Sequence, residues 1–280
     1  MNFTDKVLRA YASIENPRSK ELIQVLIKYL HAYVKETHLS AEEWEFTWDY
    51  LAKMAKFTHE DRNEFLLLAD VLGVSQLIET LNHQRPENTA GFALVGPFYR
   101  ANAPLRKNGE SIASSDTPGE RVVIKGKVID IGDNKPIPNA ILDTWQAANN
   151  GLYESQDPSQ PDMNLRGKFE TDQNGHYELI ALMPTPYPVP TDGPVGELLR
   201  MAKRHPNRPA HIHFVVSAPN YETFVTQIFV EGDALVESDA VFTASENMVG
   251  QFIKEGNHYK LNYDFQLKKG KSIMPKAPIQ

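Results

Sequence analysis

The 280-residue chain contains no cysteine. That excludes disulfides, thiolate nucleophiles and every zinc or iron–sulfur site built on sulfur, so a bound metal must take nitrogen and oxygen donors. No apolar run approaches the roughly 20 residues that a membrane-spanning helix needs. The first residues, Met1-Asn2-Phe3-Thr4-Asp5-Lys6, lack the apolar core of a signal peptide. Positive charge is not in excess, because the net charge is −7. The expectation is therefore a soluble, cytoplasmic protein with no nucleic-acid or membrane partner. Internal repeats and low-complexity tracts are also missing. What is present is an ordinary globular balance, 23% charged and 41% hydrophobic, in a chain long enough for a large core.

The first 83 residues read as helical. Ile23, Leu26, Ile27, Leu30 and Val34 recur at helical spacing. Ser40-Ala41-Glu42-Glu43 matches a capping box, and Thr58-His59-Glu60-Asp61 repeats the signal before Phe65-Leu66-Leu67-Leu68-Ala69. Three or four helices are expected there. Residues 84–120, with scattered proline, glycine and serine, read as an ordered but irregular connector. Strand signals then dominate residues 121–280, at 121–129, 140–145, 177–182, 211–217, 223–229 and 263–267. Short strands joined by turn chemistry predict a mainly antiparallel β-sandwich, so the fold class is α+β with a helical N-terminal domain. Two long insertions, 147–170 and 183–207, interrupt the strands, and loops of that length are often functional.

Within the run Arg208-Pro209-Ala210-His211-Ile212-His213-Phe214, two histidines stand at i and i+2. Successive strand side chains point to opposite faces, so His211 and His213 share one. They read either as two histidines on a partly exposed strand or as half of a metal site. Ile212, Phe214, Val215 and Val216 read as buried, and buried imidazoles need partners. With cysteine absent, oxygen donors are the remaining candidates. Tyr153 begins the first insertion, and Tyr187 sits among four prolines in Pro184-Thr185-Pro186-Tyr187-Pro188-Val189-Pro190. Stiff backbone presents a phenol at a fixed place. Each tyrosine alone reads equally as packing. A phenol titrates near ~10, so only a strong nearby cation, such as trivalent iron, would ionise it at neutral pH. A zinc hydrolase on His211-x-His213 would need a carboxylate ligand and a general base, and no HExxH-like helix is present. A transthyretin-like binding module would need neither tyrosine.

Taken together, Gly96-Pro97-Phe98-Tyr99, Asp143-Thr144-Trp145-Gln146-Ala147, Leu165-Arg166-Gly167, Thr191-Asp192-Gly193-Pro194 and Arg208-Pro209-Ala210-His211-Ile212-His213 carry a resemblance. The chain resembles the intradiol ring-cleaving dioxygenases, the group of catechol and hydroxyquinol 1,2-dioxygenases, over nearly its whole length. The resemblance implies a non-haem Fe(III) held by Tyr153, Tyr187, His211 and His213. It implies that a small aromatic diol and O2 are the substrates. Attack on a ring carbon, acyl migration to a cyclic anhydride and its hydrolysis would give a muconate-type diacid. Tyr187 would be the ligand that leaves the metal and takes a proton, while Tyr153 stays.

By the same resemblance, Arg208 would steady negative charge on the substrate, and Gln227 would pack beside it. Each has a plainer alternative: a surface salt bridge for Arg208 and a solvent-facing strand position for Gln227. Hydroxyquinol-type members often carry histidine at the Gln227 position, a departure here. The pocket would be closed by Leu67, Asp70, Val95, Pro97, Phe98 and Val241. Hydroxyquinol-type enzymes carry an acidic residue at the Asp70 position, and a carboxylate there would accept a hydrogen bond from a third ring hydroxyl. Its plainer alternative is an exposed helix residue. The resemblance also carries Tyr187-Pro188-Val189-Pro190-Thr191-Asp192-Gly193-Pro194 and Ser238-Asp239-Ala240-Val241-Phe242 toward the hydroxyquinol group, with catechol as the competing substrate. A homodimer through the N-terminal helices, with a lipid at the interface, completes the expectation.

Overall fold

The computed structural model describes residues 2–59, 62–86 and 89–278. The chain forms two compact units that divide between Lys53 and Met54. Residues 54–82, which the sequence groups with the helical block, thus belong to the larger unit.

In the smaller unit, α1 (Phe3–Ala10) is capped by Asn2, and α2 (Pro17–Thr37) by Asn16 with proline in its first turn. His38, in the left-handed region, ends α2. Ser40 and Glu43 start α3 (Ala41–Phe57), whose residues 54–57 are counted with the larger unit, as a reciprocal capping box, each side chain taking the other's backbone amide. The apolar stripe of α2 does not enter a core. Leu22, Leu26, Tyr29, Leu30 and Tyr33 are all exposed.

In the larger unit, α4 (Glu64–Val71) and α5 (Val74–Asn82) are separated by Gly73 at φ +72°. That break is why five helices stand among the described residues where three or four are expected. The cap of α4 is Asn63, whose side chain accepts from the Leu66 amide. Of the expected signal Thr58-His59-Glu60-Asp61, the last two residues lie outside the described ones. The connector has no helix or strand among its described residues, but it is stitched to the sheets. The Ala93 amide bonds the Val225 carbonyl, and Ile112 bonds Ile180.

The strands are β1 (Arg121–Asp130), β2 (Ile141–Trp145), β3 (Arg166–Glu170), β4 (His176–Leu182), β5 (Tyr187–Pro188), β6 (Asn207–Arg208), β7 (His211–Ser217), β8 (Phe224–Val230), β9 (Val249–Gly250), β10 (Ile253–Glu255), β11 (His258–Asn262) and β12 (Phe265–Leu267). One sheet runs β10-β11-β1-β12 with β4 also on β1, the other runs β3-β2-β7-β8-β9, and β5 pairs β6 alone. Most pairs are antiparallel, but β1 runs parallel to β11 and β12, and β8 to β9. Val122, Ile124 and Leu179 of one sheet meet Leu142, Ile212, Phe214 and Phe224 of the other in one apolar core. The insertions are not bare loops. The first contains β3, and the second contains β5 and α6 (Pro194–Met201), which Pro194 opens at its first turn. Among the described residues no helix is long and apolar enough to cross a membrane.

Candidate metal centre and active site

Strand β7 is buried on both faces. Ile212, Phe214 and Val216 enter the sandwich core. His211, His213 and Val215, one step out of phase, face the other way. There β2 supplies Trp145, in register with His213, and its ring stacks on the imidazole at 4.7 Å and 11°. The Nδ1 of His211 lies 2.7 Å from the Pro209 carbonyl. A carbonyl only accepts, so Nδ1 carries the hydrogen and Nε2 holds the lone pair.

Two tyrosines arrive from the insertions. Gly151, at φ +79°, turns the chain beside the Tyr187 Cβ, and Tyr153 follows. The neighbouring Glu154 is anchored by Arg166 at 2.7 Å and Arg100 at 2.9 Å, and Phe98 stacks on the Tyr153 ring at 4.6 Å. Tyr187 is placed by the β5–β6 ribbon, whose register sets it opposite Arg208.

Four donor atoms close a ring. Tyr153 Oη lies 2.9 Å from Tyr187 Oη, and Tyr187 Oη lies 3.3 Å from His211 Nε2. His211 Nε2 lies 3.1 Å from His213 Nε2, which lies 3.1 Å from Tyr153 Oη. Edges of this length suit a single ion about 2 Å from each donor. Two imidazole nitrogens this close gain little from each other as lone-pair donors, whereas a cation between them satisfies both. Burial, reinforced by Arg208, holds the His211 pKa down. Burial, then His211, does the same for His213. Both imidazoles are therefore neutral, the form that binds metal. Burial pushes the Tyr153 phenol well above its ordinary value, with Tyr187 adding to it. It also raises Tyr187, against the opposing charge of Arg208. Neither phenol ionises at neutral pH without a strong cation. Among the described residues no group of three or more His, Cys, Asp or Glu is placed to hold a metal ion. The carboxylate ligand that a zinc hydrolase needs is not beside His211 and His213.

Arg208 is buried, not a surface salt bridge. Burial would lower its pKa, but Asp239 and the tyrosines outweigh that and raise it. Its Nε and Nη2 pair with the Asp239 carboxylate at 3.1 and 3.0 Å, and Nη2 also donates to Gln227 Oε1 at 2.8 Å. Nη1 points to the donor ring, 3.1 Å from His211 Nε2. Gln227 is fully buried, which overturns the solvent-facing alternative, and its amide donates to the Leu94 carbonyl.

A cavity of about 580 Å³ opens on this centre. Its walls include all six anticipated pocket residues, Leu67, Asp70, Val95, Pro97, Phe98 and Val241, together with Tyr153, Tyr187, Arg208 and His213. His211 and Gln227 stand behind this wall. Asp70 is half-buried; burial raises its carboxyl pKa, against a Ser75 hydrogen bond and the Arg208 charge. The helix that carries Leu67 and Asp70 is tied to the second insertion. Glu64 accepts from the Val195 amide, and Arg62 bridges Glu64 and Asp192. His59, Arg62, Asn150 and Gln156 also reach the cavity without having been anticipated. Nothing local in the sequence marks them.

Two family models match the chain. One described as "Dioxygenase" matches residues 94–269, and one described as "Catechol dioxygenase N terminus" matches residues 16–90. The chain is 40% identical over 249 residues to the hydroxyquinol 1,2-dioxygenase of Rhizobium sp., spanning 89% of this chain and 84% of that one. It is 36% identical over 283 residues to the catechol 1,2-dioxygenase of Candida albicans, spanning 97% and 93%. The solved structure of a hydroxyquinol 1,2-dioxygenase from Pseudomonas putida matches with a TM-score of 0.90 at 35% identity, over 95% of this chain and 97% of that one. The helical block and sandwich are thus those of a dioxygenase. Within that class, the chain belongs to the intradiol ring-cleavage dioxygenase family.

Proposed function

We propose that this enzyme opens hydroxyquinol (1,2,4-trihydroxybenzene) between its two adjacent hydroxylated carbons, giving 3-hydroxy-cis,cis-muconate, which tautomerises to maleylacetate. Tyr153, Tyr187, His211 and His213 would hold a single ferric ion for this reaction. The observation that carries this reading is the ring of two nitrogen and two phenol donors in one cavity with the half-buried Asp70. When bound, the ion supplies a chelation point for the diol oxygens and an electron sink that opens a ring carbon to O2.

The chain's own groups do the rest. Tyr187, on a two-residue strand beside Arg208, takes a substrate proton at Oη. Tyr153 is clamped between the Phe98 ring and the anchored Glu154 and stays in place. Arg208 directs Nη1 at charge that develops on the ring, electrostatics that cost no reorganisation during reaction. Val95, Pro97, Phe98 and Val241 grip the ring and exclude water. Asp70 accepts from the third hydroxyl; plain catechol lacks that donor and leaves the carboxylate with its Ser75 hydrogen bond and the Arg208 charge alone.

Gln227, where hydroxyquinol-type relatives often carry histidine, favours catechol as a second substrate. Oxygen uptake with the two diols side by side tests the choice. Asp70→Ala is expected to shift the kcat/KM ratio toward catechol by about tenfold or more, from ~1.5–3 kcal/mol for a lost hydrogen bond to a charged group. An unchanged ratio would remove Asp70 from recognition.

The exposed apolar residues of α2 support a homodimer through the N-terminal helices, able to hold a lipid there. Sedimentation at micromolar concentration that finds monomer alone would contradict it.

A further inference from the structure

Asp239 does not line the cavity, yet its carboxylate gathers five donors. Oδ1 accepts from Arg208 Nε and, at 3.3 Å, from the Val241 amide. Oδ2 accepts from Arg208 Nη2, from the Thr243 amide at 3.1 Å and from the Ala244 amide at 3.0 Å. The carboxylate is buried. It therefore fixes two things at once: the guanidinium, leaving Nη1 free to face the donor ring, and the turn that carries Val241 into the pocket wall. That turn needs holding. Phe242, next to Val241, sits at φ +59°, a conformation rare for a bulky side chain. Its ring packs beside Gly73 at the end of α4, where an added Cβ would lie 3.3 Å away. Arg204 covers the same ring at 4.3 Å and bonds the carbonyls of Val71 and Ala240. The helix with Leu67 and Asp70 and the turn with Val241 are thereby one assembly, and Asp239 is its link to Arg208.

We propose that Asp239 is a positioning residue that couples substrate recognition by the Val241 turn to charge stabilisation by Arg208. The proposal rests on the ring-cleavage reading above. Asp239 touches neither substrate nor ion; it acts through the two groups it holds.

The test is Asp239→Asn in the iron-loaded enzyme, alone and with Arg208→Gln. The single variant keeps the iron content and visible band of the wild type, because no ligand is altered. Its kcat falls about 10²-fold, the loss typical of one misaimed stabilising donor. Its KM ratio for hydroxyquinol over catechol also changes, because the Val241 wall loosens. The double variant loses no more kcat than Arg208→Gln alone, since the carboxylate works through the guanidinium. A kcat and KM ratio within twofold of wild type, losses that multiply in the double variant, or loss of iron together with kcat would each overturn the proposal. A second measurement covers a variant that does not fold. In metal-free Arg208→Gln, the Thr243 and Ala244 amides exchange hydrogen faster than in wild type while those of β7 do not; equal rates would overturn the link. A wild type that cleaves neither diol would sink the functional reading, and the exchange experiment would still decide the link.

Discussion

The two faces of β7 are buried to the same degree for opposite reasons. Ile212, Phe214 and Val216 need only apolar neighbours, and any residues of suitable volume in the facing sheet provide them. His211 and His213 need partners of definite chemistry at definite places. Those partners come from 24 and 60 positions away in sequence, as Tyr187 and Tyr153. One face is held by area and the other by geometry. The first gives stability, and the second gives a site.

Substitutions on the two faces should fail differently. The largest effect is expected from His213→Ala: iron retention and ring cleavage drop below detection, while the folded state survives, as circular dichroism would report. Phe214→Ala, one residue on, should do the reverse. A fully buried aromatic lost from the core costs roughly 3–5 kcal/mol, read by urea unfolding, while the fraction that stays folded still binds iron. If the two variants gave the same pattern, the division between faces would be wrong.

A smaller effect tests the polar face through pH. Asp143 lies on the site side of β2 and accepts from the Tyr99 hydroxyl. Burial, against the opposing charge of Lys168, raises its pKa to about 6. Folded Asp143 then holds a proton that the unfolded chain has already released. Its contribution to stability is full at acid pH and is lost as pH rises from the ordinary carboxylate value toward 6. Asp143→Asn should remove that loss. Relative to wild type, the variant should gain roughly 2–3 kcal/mol of stability between pH 4 and pH 7. A parallel pH profile for the two proteins would show that the carboxyl is not held neutral.

Much of the fold was legible because it follows local rules. The alternation in His211–Ser217 and the capping pair Ser40 and Glu43 need no distant residue to be read. The elements that escaped depend on distant partners. Arg166–Glu170 is polar and glycine-containing, and it becomes a strand because β2 pairs with it. The short segments β10 and β11 carry weak signals; β11 is recruited by β1, and β10 by β11. α6 could have been read from Gly193-Pro194, a helix start hidden in a stretch taken as loop.

The site divides in the same way. The histidine pair announces itself by spacing. Tyr153 and Tyr187 stand out only as candidates, by their place in the insertions and the four prolines around Tyr187; each reads equally as packing, and the family resemblance is what joins them to the histidines as ligands. Asp239 lay within a quoted motif, Ser238-Asp239-Ala240-Val241-Phe242, yet a sequence cannot say that one carboxylate collects an arginine from 31 residues upstream.

The geometric face of β7 stands or falls on iron binding. Purified wild-type protein, loaded with ferric iron and desalted, should retain one iron per chain and show a visible absorption band from tyrosinate-to-iron charge transfer. A protein that is colourless after loading, or that keeps iron without the band, would contradict the assignment of both phenols as ligands.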